Sequence, residues 1–277
     1  MSQLTCYCNG KFGPLETTGL PVSDLIIQRG YGIFDFLRVD GQRPLFLEDH
    51  LDRFYNSAKI MRLVIKETKG ELVAIVHQLI QKNQLDYSGI RLIISGGDSE
   101  DGYKINQPRL IILQQPLPVP PRTFPLQGIK LVTRDFQRQL ANVKTTDYLM
   151  AIYLQPWMKE QGGDDILYHN SGLIRECPRS NFFMIKKGIL ITAANHMLLG
   201  ITRKNIIKVA KENNIKVEER DITVEELKTA DEAFISSSTK RITPVKQIDD
   251  YVLPTIQEKS LTAQLFNLLL NKELALI

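Results

Sequence analysis

The sequence predicts an α+β protein built as two α/β domains. Two observations carry that expectation. Short β-hairpins and helices interleave along the chain without regular alternation, which argues against a parallel, doubly wound sheet. A proline-rich break over residues 114–125 (QQPLPVPPRTFP), with five prolines, divides the 277 residues into pieces of ordinary domain size. Proline lacks the N–H that a strand ladder or a helix interior needs, so this break reads as a linker. The expected organisation is a first domain over residues 1–113, the linker over 114–125 and a second domain over 126–277.

In the first domain, Leu51, Phe54, Tyr55, Ala58 and Met61 recur at helical spacing and predict a helix within 45–63. Leu72, Ile75, Val76, Leu79 and Ile80 form the apolar stripe of a second helix. Residues 91–95 and 110–113 are short, isoleucine-rich runs and predict strands. After the linker, 129–133 predicts a strand and a helical stretch begins near Thr146. Strands are expected over 166–169, 173–176, 182–185 and 189–192, with Asn170-Ser171-Gly172 and Lys187-Gly188 as hairpin turns. Residues 203–213 predict a helix, and Thr223 with Glu226 has the spacing of a capping box for a short one. A further strand is expected over 233–236.

Composition excludes several classes. Hydrophobic residues make up 43% and charged residues 24%, an ordinary globular balance. A net charge of +4 without long basic runs is too weak for a nucleic-acid footprint, though local arginines can still hold small anions. No stretch reaches the ~18 apolar residues of a membrane span. The segment MSQLTCYCNG lacks the charged-then-apolar plan of a signal peptide, so a cytoplasmic location is expected. Cys6 and Cys8 would share a strand face, a poor geometry for a disulfide, and zinc would need two further ligands. The three cysteines read as reduced and structural, and no metal site is expected.

Lys144, in Asn142-Val143-Lys144-Thr145-Thr146-Asp147-Tyr148, falls between a strand and a helix. A lysine there can form a Schiff base if a cofactor sits nearby, although most lysines are simply solvated. Glu176 ends a strand five residues before Asn181. A buried carboxylate can keep a pyridine nitrogen protonated, and a solvated turn residue is the plainer alternative. Leu199-Gly200-Ile201-Thr202-Arg203 opens a helix whose free N–H groups suit a phosphate. The run Ser236-Ser237-Ser238-Thr239 is a second anion candidate, or an ordinary loop. Arg53, at the edge of the first helix's apolar stripe, could bind phosphate or make a surface ion pair.

Taken in order, these segments resemble the class IV aminotransferases, the fold-type IV pyridoxal-phosphate enzymes. The resemblance runs from Gly30 to about Ile248. It rests on Arg29 to Asp35 (RGYGIFD), His50-x-x-Arg53 with Ser57-Ala58, Lys144, Glu176 with Asn181, Gly200 to Arg203 (GITR), and Ser238-Thr239 before Thr243-Pro244-Val245. It implies pyridoxal 5'-phosphate (PLP) as cofactor, held in the cleft between two α/β domains. It further implies Lys144 as Schiff-base lysine and Glu176 on the pyridine nitrogen. Arg53, the backbone of Ile201 and Thr202, and Ser238 with Thr239 are implied around the phosphate. Tyr148 is implied at the cofactor's 3-oxygen, although it follows the lysine by four residues where the branched-chain enzymes have five. Amino acids and 2-keto acids are the implied substrates, and a homodimer with shared active sites the implied assembly.

Within the family, the arginines point to specificity. Arg29, Arg91 and Arg179 stand where charge near the cofactor would be costly unless it binds an anion, and Arg38 lies on the strand after Phe34. Two or three of them could fork onto an α-carboxylate, which fits a D-amino acid transaminase. The Arg-x-His pair usual in those enzymes is missing from the loop Gly96 to Gly102, so the pocket would be atypical. Each arginine could instead make a surface or interface ion pair. A branched-chain L-amino acid aminotransferase is the alternative favoured by Tyr148 and Arg91. A lyase resembling aminodeoxychorismate lyase and a non-enzymatic anion-binding protein are the others.

Overall fold

The computed structural model describes residues 4–276. Residues 1–3, which open the expected first domain, and residue 277 lie outside the described residues. The chain divides into two units. The first takes residues 4–119, 143–147 and 276, and the second takes 120–142 and 148–275.

The first unit is one antiparallel sheet with two long helices. Its elements are β1 (Thr5–Cys8), β2 (Lys11–Pro14), α1 (Leu25–Arg29), β3 (Gly32–Asp40), β4 (Arg43–Pro44), α2 (Leu47–Ile60), α3 (Lys69–Asn83), β5 (Tyr87–Ser95) and β6 (Arg109–Pro116). The sheet order is β2-β1-β6-β5-β3-β4. Side chains alternate across a strand. Ile33, Leu37 and Val39 of β3, with Ile90, Leu92 and Ile94 of β5, therefore share one face. That face packs on Leu51, Phe54 and Ala58 of α2 and on Leu72, Val76, Leu79 and Ile80 of α3. Both helix stripes match the expected periodicity. Helix α3 starts at a complete capping box, Thr68 with Glu71.

The proline-rich stretch is not linker from its first residue. β6 runs through Gln114 and Gln115 to Pro116, and Gln114 is buried, donating to Ser88 Oγ and accepting from Asn83 Nδ2. Proline is tolerated there because it ends the strand.

The second unit holds a ten-stranded mixed sheet. Its elements are β7 (Ile129–Asp135), α4 (Leu149–Tyr153), α5 (Gln155–Glu160), β8 (Asp165–Asn170), β9 (Leu173–Ile174), β10 (Glu176–Cys177), β11 (Ser180–Lys186), β12 (Ile189–Thr192), α6 (Ile201–Glu212), β13 (Val217–Glu219), β14 (Glu232–Ser237), β15 (Arg241–Ile248), β16 (Tyr251–Val252) and α7 (Leu261–Leu274). The main path is β13-β12-β11-β14-β15-β7-β8-β9, with β10 on β11 and β16 on β15. The expected strand over 173–176 is two short strands, β9 and β10. Strand β11 is buried on both faces, so it reads as a continuous apolar run. Phe183 and Ile185 pack with α6 and α7, while Phe182 and Met184 join the core on the other side. Lys187 and Gly188 both take positive φ (51° and 73°), the hairpin turn expected there. The Thr223 capping box is only half made. Thr223 Oγ1 accepts from Glu226 N at 3.1 Å, but the Glu226 carboxylate pairs with Arg220. Among the described residues, no helix is long and apolar enough to cross a membrane.

Candidate active site

In the first unit the site begins on the face of β3 opposite the helices. Phe36 pairs in register with Arg91 of β5, and the Arg91 guanidinium lies over the rings of Phe34 (5.0 Å) and Phe36 (5.4 Å). Lys144 reaches the same place from far along the chain. Segment 143–147 pairs beside the start of β3: Phe34 N donates to Lys144 O at 2.9 Å and Thr146 N to Gly32 O at 3.0 Å. Lys144 Nζ stands 4.5 Å from the Phe34 ring centre. One aromatic ring thus carries both the candidate Schiff-base lysine and an arginine.

Asp35 interrupts the core-facing row Ile33–Leu37 and is fully buried. Arg53 of α2 grips it at two points, Nε to Oδ2 and Nη2 to Oδ1, both 2.8 Å. His50, one helical turn earlier, places Nδ1 2.6 Å from Oδ1. Burial alone would raise the Asp35 carboxyl, but Arg53 and then His50 outweigh it and hold it well below the usual carboxylate range. Burial lowers His50 below the ordinary imidazole value. Asp35 opposes that shift, and the positive charges of Arg53 and Lys144 reinforce it. The ring is therefore assigned as neutral, with Nδ1–H donating to Asp35.

In the second unit the key row runs across three strands. Glu176 pairs with Asn181, and Asn181 with Ser236, so all three side chains share a sheet face. All are buried. Arg138 Nε donates to Glu176 Oε1 at 2.9 Å and Leu198 N donates to Oε2 at 3.1 Å. Asn181 Nδ2 returns a bond to Leu198 O at 2.7 Å. The turn that these bonds fix leads into α6, whose N-cap Gly200 offers no side-chain cap. A Cβ on Gly200 would collide with Asn181 Oδ1, so any larger residue would force the Asn181 side chain to move. Ile201 and Thr202 of the first helical turn are buried.

These residues fit the cofactor that the sequence implies. Ser236 Oγ is buried with no hydrogen-bond partner among the described residues, beside an uncapped helix N-terminus. Donors of that kind suit a phosphate. Glu176 is a buried carboxylate whose position is fixed by two donors, as a pyridine nitrogen requires.

The other expected residues are placed as follows. Tyr148 is the half-buried N-cap of α4. Ser238 is half-buried and Thr239 exposed in the turn after β14, and the buried hydroxyl of that run is Ser236. Arg29 ends α1, exposed, with Nη1 donating to Gln28 O at 2.9 Å. Arg179 is exposed in the tight turn between β10 and β11. For Arg29 and Arg179, then, the burial cost expected of a charge is not incurred within one chain. Arg38 is buried and donates to Tyr87 Oη at 3.0 Å. Glu176 is not the solvated turn residue that its position could have meant. Sequence reasoning left Phe34, Asp35, His50 and Arg138 without individual roles, and it singled out Ser238 and Thr239 in a run whose buried hydroxyl is Ser236. Asp35 had a signal, a charge at a core position of β3. Arg138 had none.

Residues 32–248 match the family model for amino-transferase class IV. A Methanocaldococcus jannaschii protein, provisionally named a branched-chain-amino-acid aminotransferase, is 32% identical, covering 94% of this chain and 93% of that one. A D-alanine aminotransferase of Listeria monocytogenes is 31% identical over 90% of this chain and 89% of its own length. The crystal structure of a T.th. branched-chain amino acid aminotransferase with pyridoxamine 5'-phosphate shares the fold. Its TM-score is 0.89 at 22% identity, covering 100% of this chain and 96% of that one.

Proposed function

This chain belongs to the class IV aminotransferase family, and from that premise we propose that it exchanges the amino group between a D-amino acid and a 2-keto acid. D-glutamate and D-alanine are the expected donors. The cofactor is PLP. When bound, it supplies a protonated pyridine ring that accepts the electrons left as the α-proton departs.

In this reading Lys144 anchors the cofactor covalently. Lys144 Nζ would also carry the α-proton. Glu176, held by Arg138 and Leu198 N, keeps the pyridine nitrogen protonated. Arg53, the first turn of α6 and the turn at Ser238 and Thr239 hold the phosphate, and Tyr148 meets the 3-oxygen.

The observation that carries the substrate assignment is the Phe34 ring, with Lys144 Nζ at 4.5 Å and the Arg91 guanidinium at 5.0 Å. A guanidinium that shares one aromatic ring with the candidate Schiff-base lysine offers paired donors to an α-carboxylate. The α-hydrogen must face Lys144 for either hand of substrate, so the side that takes the carboxylate sets the handedness. Arg29 and Arg179, exposed in one chain, complete this carboxylate site in a homodimer. The relatives named D-alanine aminotransferases support the D-assignment.

The test is an assay with D- and L-glutamate and D- and L-alanine against a keto acceptor. D-substrates should react, and Arg91→Ile should lower their kcat/KM by about tenfold or more, the cost of a charged hydrogen bond. Strong activity with L-leucine and none with D-glutamate would replace this reading by the branched-chain one, which the M. jannaschii relative favours.

A further inference from the structure

A buried carboxylate is a poor way to stabilise a core. Its desolvation offsets much of what its ion pairs return, and an apolar residue of similar size usually packs as well. Asp35 nevertheless stands in the apolar row between Ile33 and Leu37, with no exposure. Its two oxygens serve one purpose on α2. Oδ2 accepts Arg53 Nε, and Oδ1 accepts both Arg53 Nη2 and His50 Nδ1. Arg53 is thereby fixed in plane as well as in position. A point charge would need no such fork, whereas a guanidinium that must present paired donors to a tetrahedral anion does.

We propose that Asp35 is the positioning residue for recognition of the cofactor's phosphate, with His50 as its second tether. The proposal rests on the reading that Arg53 binds that phosphate. Asp35 itself carries like charge and does not touch the anion. It acts by locking the Arg53 fork, and His50, neutral and donating through Nδ1, keeps the carboxylate from swinging away.

The experiment compares two ligands that differ only by the phosphate. Full-length protein, depleted of cofactor by an amino donor and dialysis, is titrated with PLP and with pyridoxal, and bound ligand is read by absorbance. Wild type should prefer PLP strongly. Asp35→Asn should lose about tenfold or more of that preference while its affinity for pyridoxal stays within about twofold, since only a charged hydrogen-bond geometry has changed. A merely structural role would weaken both ligands alike, and that result overturns the proposal. Arg53→Gln serves as the reference. If Arg53→Gln loses the preference and Asp35→Asn keeps it, positioning by Asp35 is wrong while the phosphate role of Arg53 stands. If neither variant loses it, the Arg53 reading fails and the proposal with it. Should Asp35→Asn not fold, Asp35→Glu decides, because it keeps the charge but displaces the carboxylate by one methylene and so disturbs the fork. An unchanged preference for PLP in Asp35→Glu would then overturn the proposal, and its loss with pyridoxal affinity retained would sustain it.

Discussion

In the first unit the groups assigned to the cofactor and the substrate are held by other side chains: Arg53 by Asp35, and Lys144 and Arg91 by the ring of Phe34. In the second unit the main chain does much of the holding. Leu198 contributes both its N–H and its carbonyl, to Glu176 and Asn181, and the helix α6 opens without a side-chain cap. A site held by charged side chains depends on their protonation and on single substitutions that change charge. A site held by a turn depends on space. The two units should therefore fail in different ways, and three perturbations separate them.

The largest effect is expected at Lys144. Lys144→Ala removes the only group assigned both to anchor the cofactor and to carry the proton, so transamination should fall on the order of 10³-fold or more. The fold of either unit should not change, because Lys144 is half-buried and its segment pairs through backbone atoms. Borohydride reduction followed by mass spectrometry should find a pyridoxyl adduct on Lys144 of the wild type and none in the variant. An adduct on another wild-type lysine would remove Lys144 from the mechanism.

The second perturbation is steric. Gly200 has φ −64°, a value any residue adopts, so its need for glycine is purely one of space. Gly200→Ala would push a methyl into Asn181 Oδ1 and should destabilise the protein by about 1–3 kcal/mol. Asn181→Ala alone loses the bond to Leu198 O and should cost roughly 1 kcal/mol. Together the two should cost no more than Asn181→Ala alone, because the clash is gone. Urea unfolding of the four proteins measures this. A Gly200→Ala penalty that survives in the Asn181→Ala background would show that the turn is not held as described.

The same contrast explains what was legible in the sequence. The stripes of α2 and α3 and the run of β11 follow local periodicities, and they could be read directly. Lys144 could be singled out by motif order, but not its place in the first unit. That depends on a backbone pairing with Gly32 and Phe34, more than a hundred residues away in the chain and across the proline-rich break. Strand β6 runs past the expected start of the linker because Pro116 is its last residue, which has no need of an N–H. The Glu176–Asn181 spacing was visible as a motif, and its physical content, a register pair in a tight hairpin, emerged only with the sheet. Nothing local marks Arg138, which reaches Glu176 from a loop 38 residues earlier.

The smallest effect concerns pH, and it belongs to the first unit alone. His50 is buried among Asp35, Arg53 and Lys144, and its folded-state value lies below the ordinary 6.5. Asp35 is already paired with Arg53, so a second proton on His50 would add positive charge to a closed site that also faces Lys144. The unfolded chain therefore binds that proton more readily than the folded one. Stability contributed by neutral His50 is complete above pH 6.5 and is lost as pH falls from 6.5 toward the folded value. Asp35 adds a separate window, since its depressed value costs stability only as pH falls below 3.8. Between pH 7.5 and pH 5.5 only the first window is crossed, and each unit of pH below the unfolded value costs at most about 1.4 kcal/mol. The wild type should thus lose more stability over that range than His50→Asn, which cannot titrate, and by no more than that bound. Urea unfolding of both proteins at the two pH values isolates the His50 contribution, because every other titrating group is common to them. A wild type that gains stability relative to His50→Asn on acidification would mean that His50 is charged in the folded state, and that Asp35 outweighs burial, Arg53 and Lys144 together.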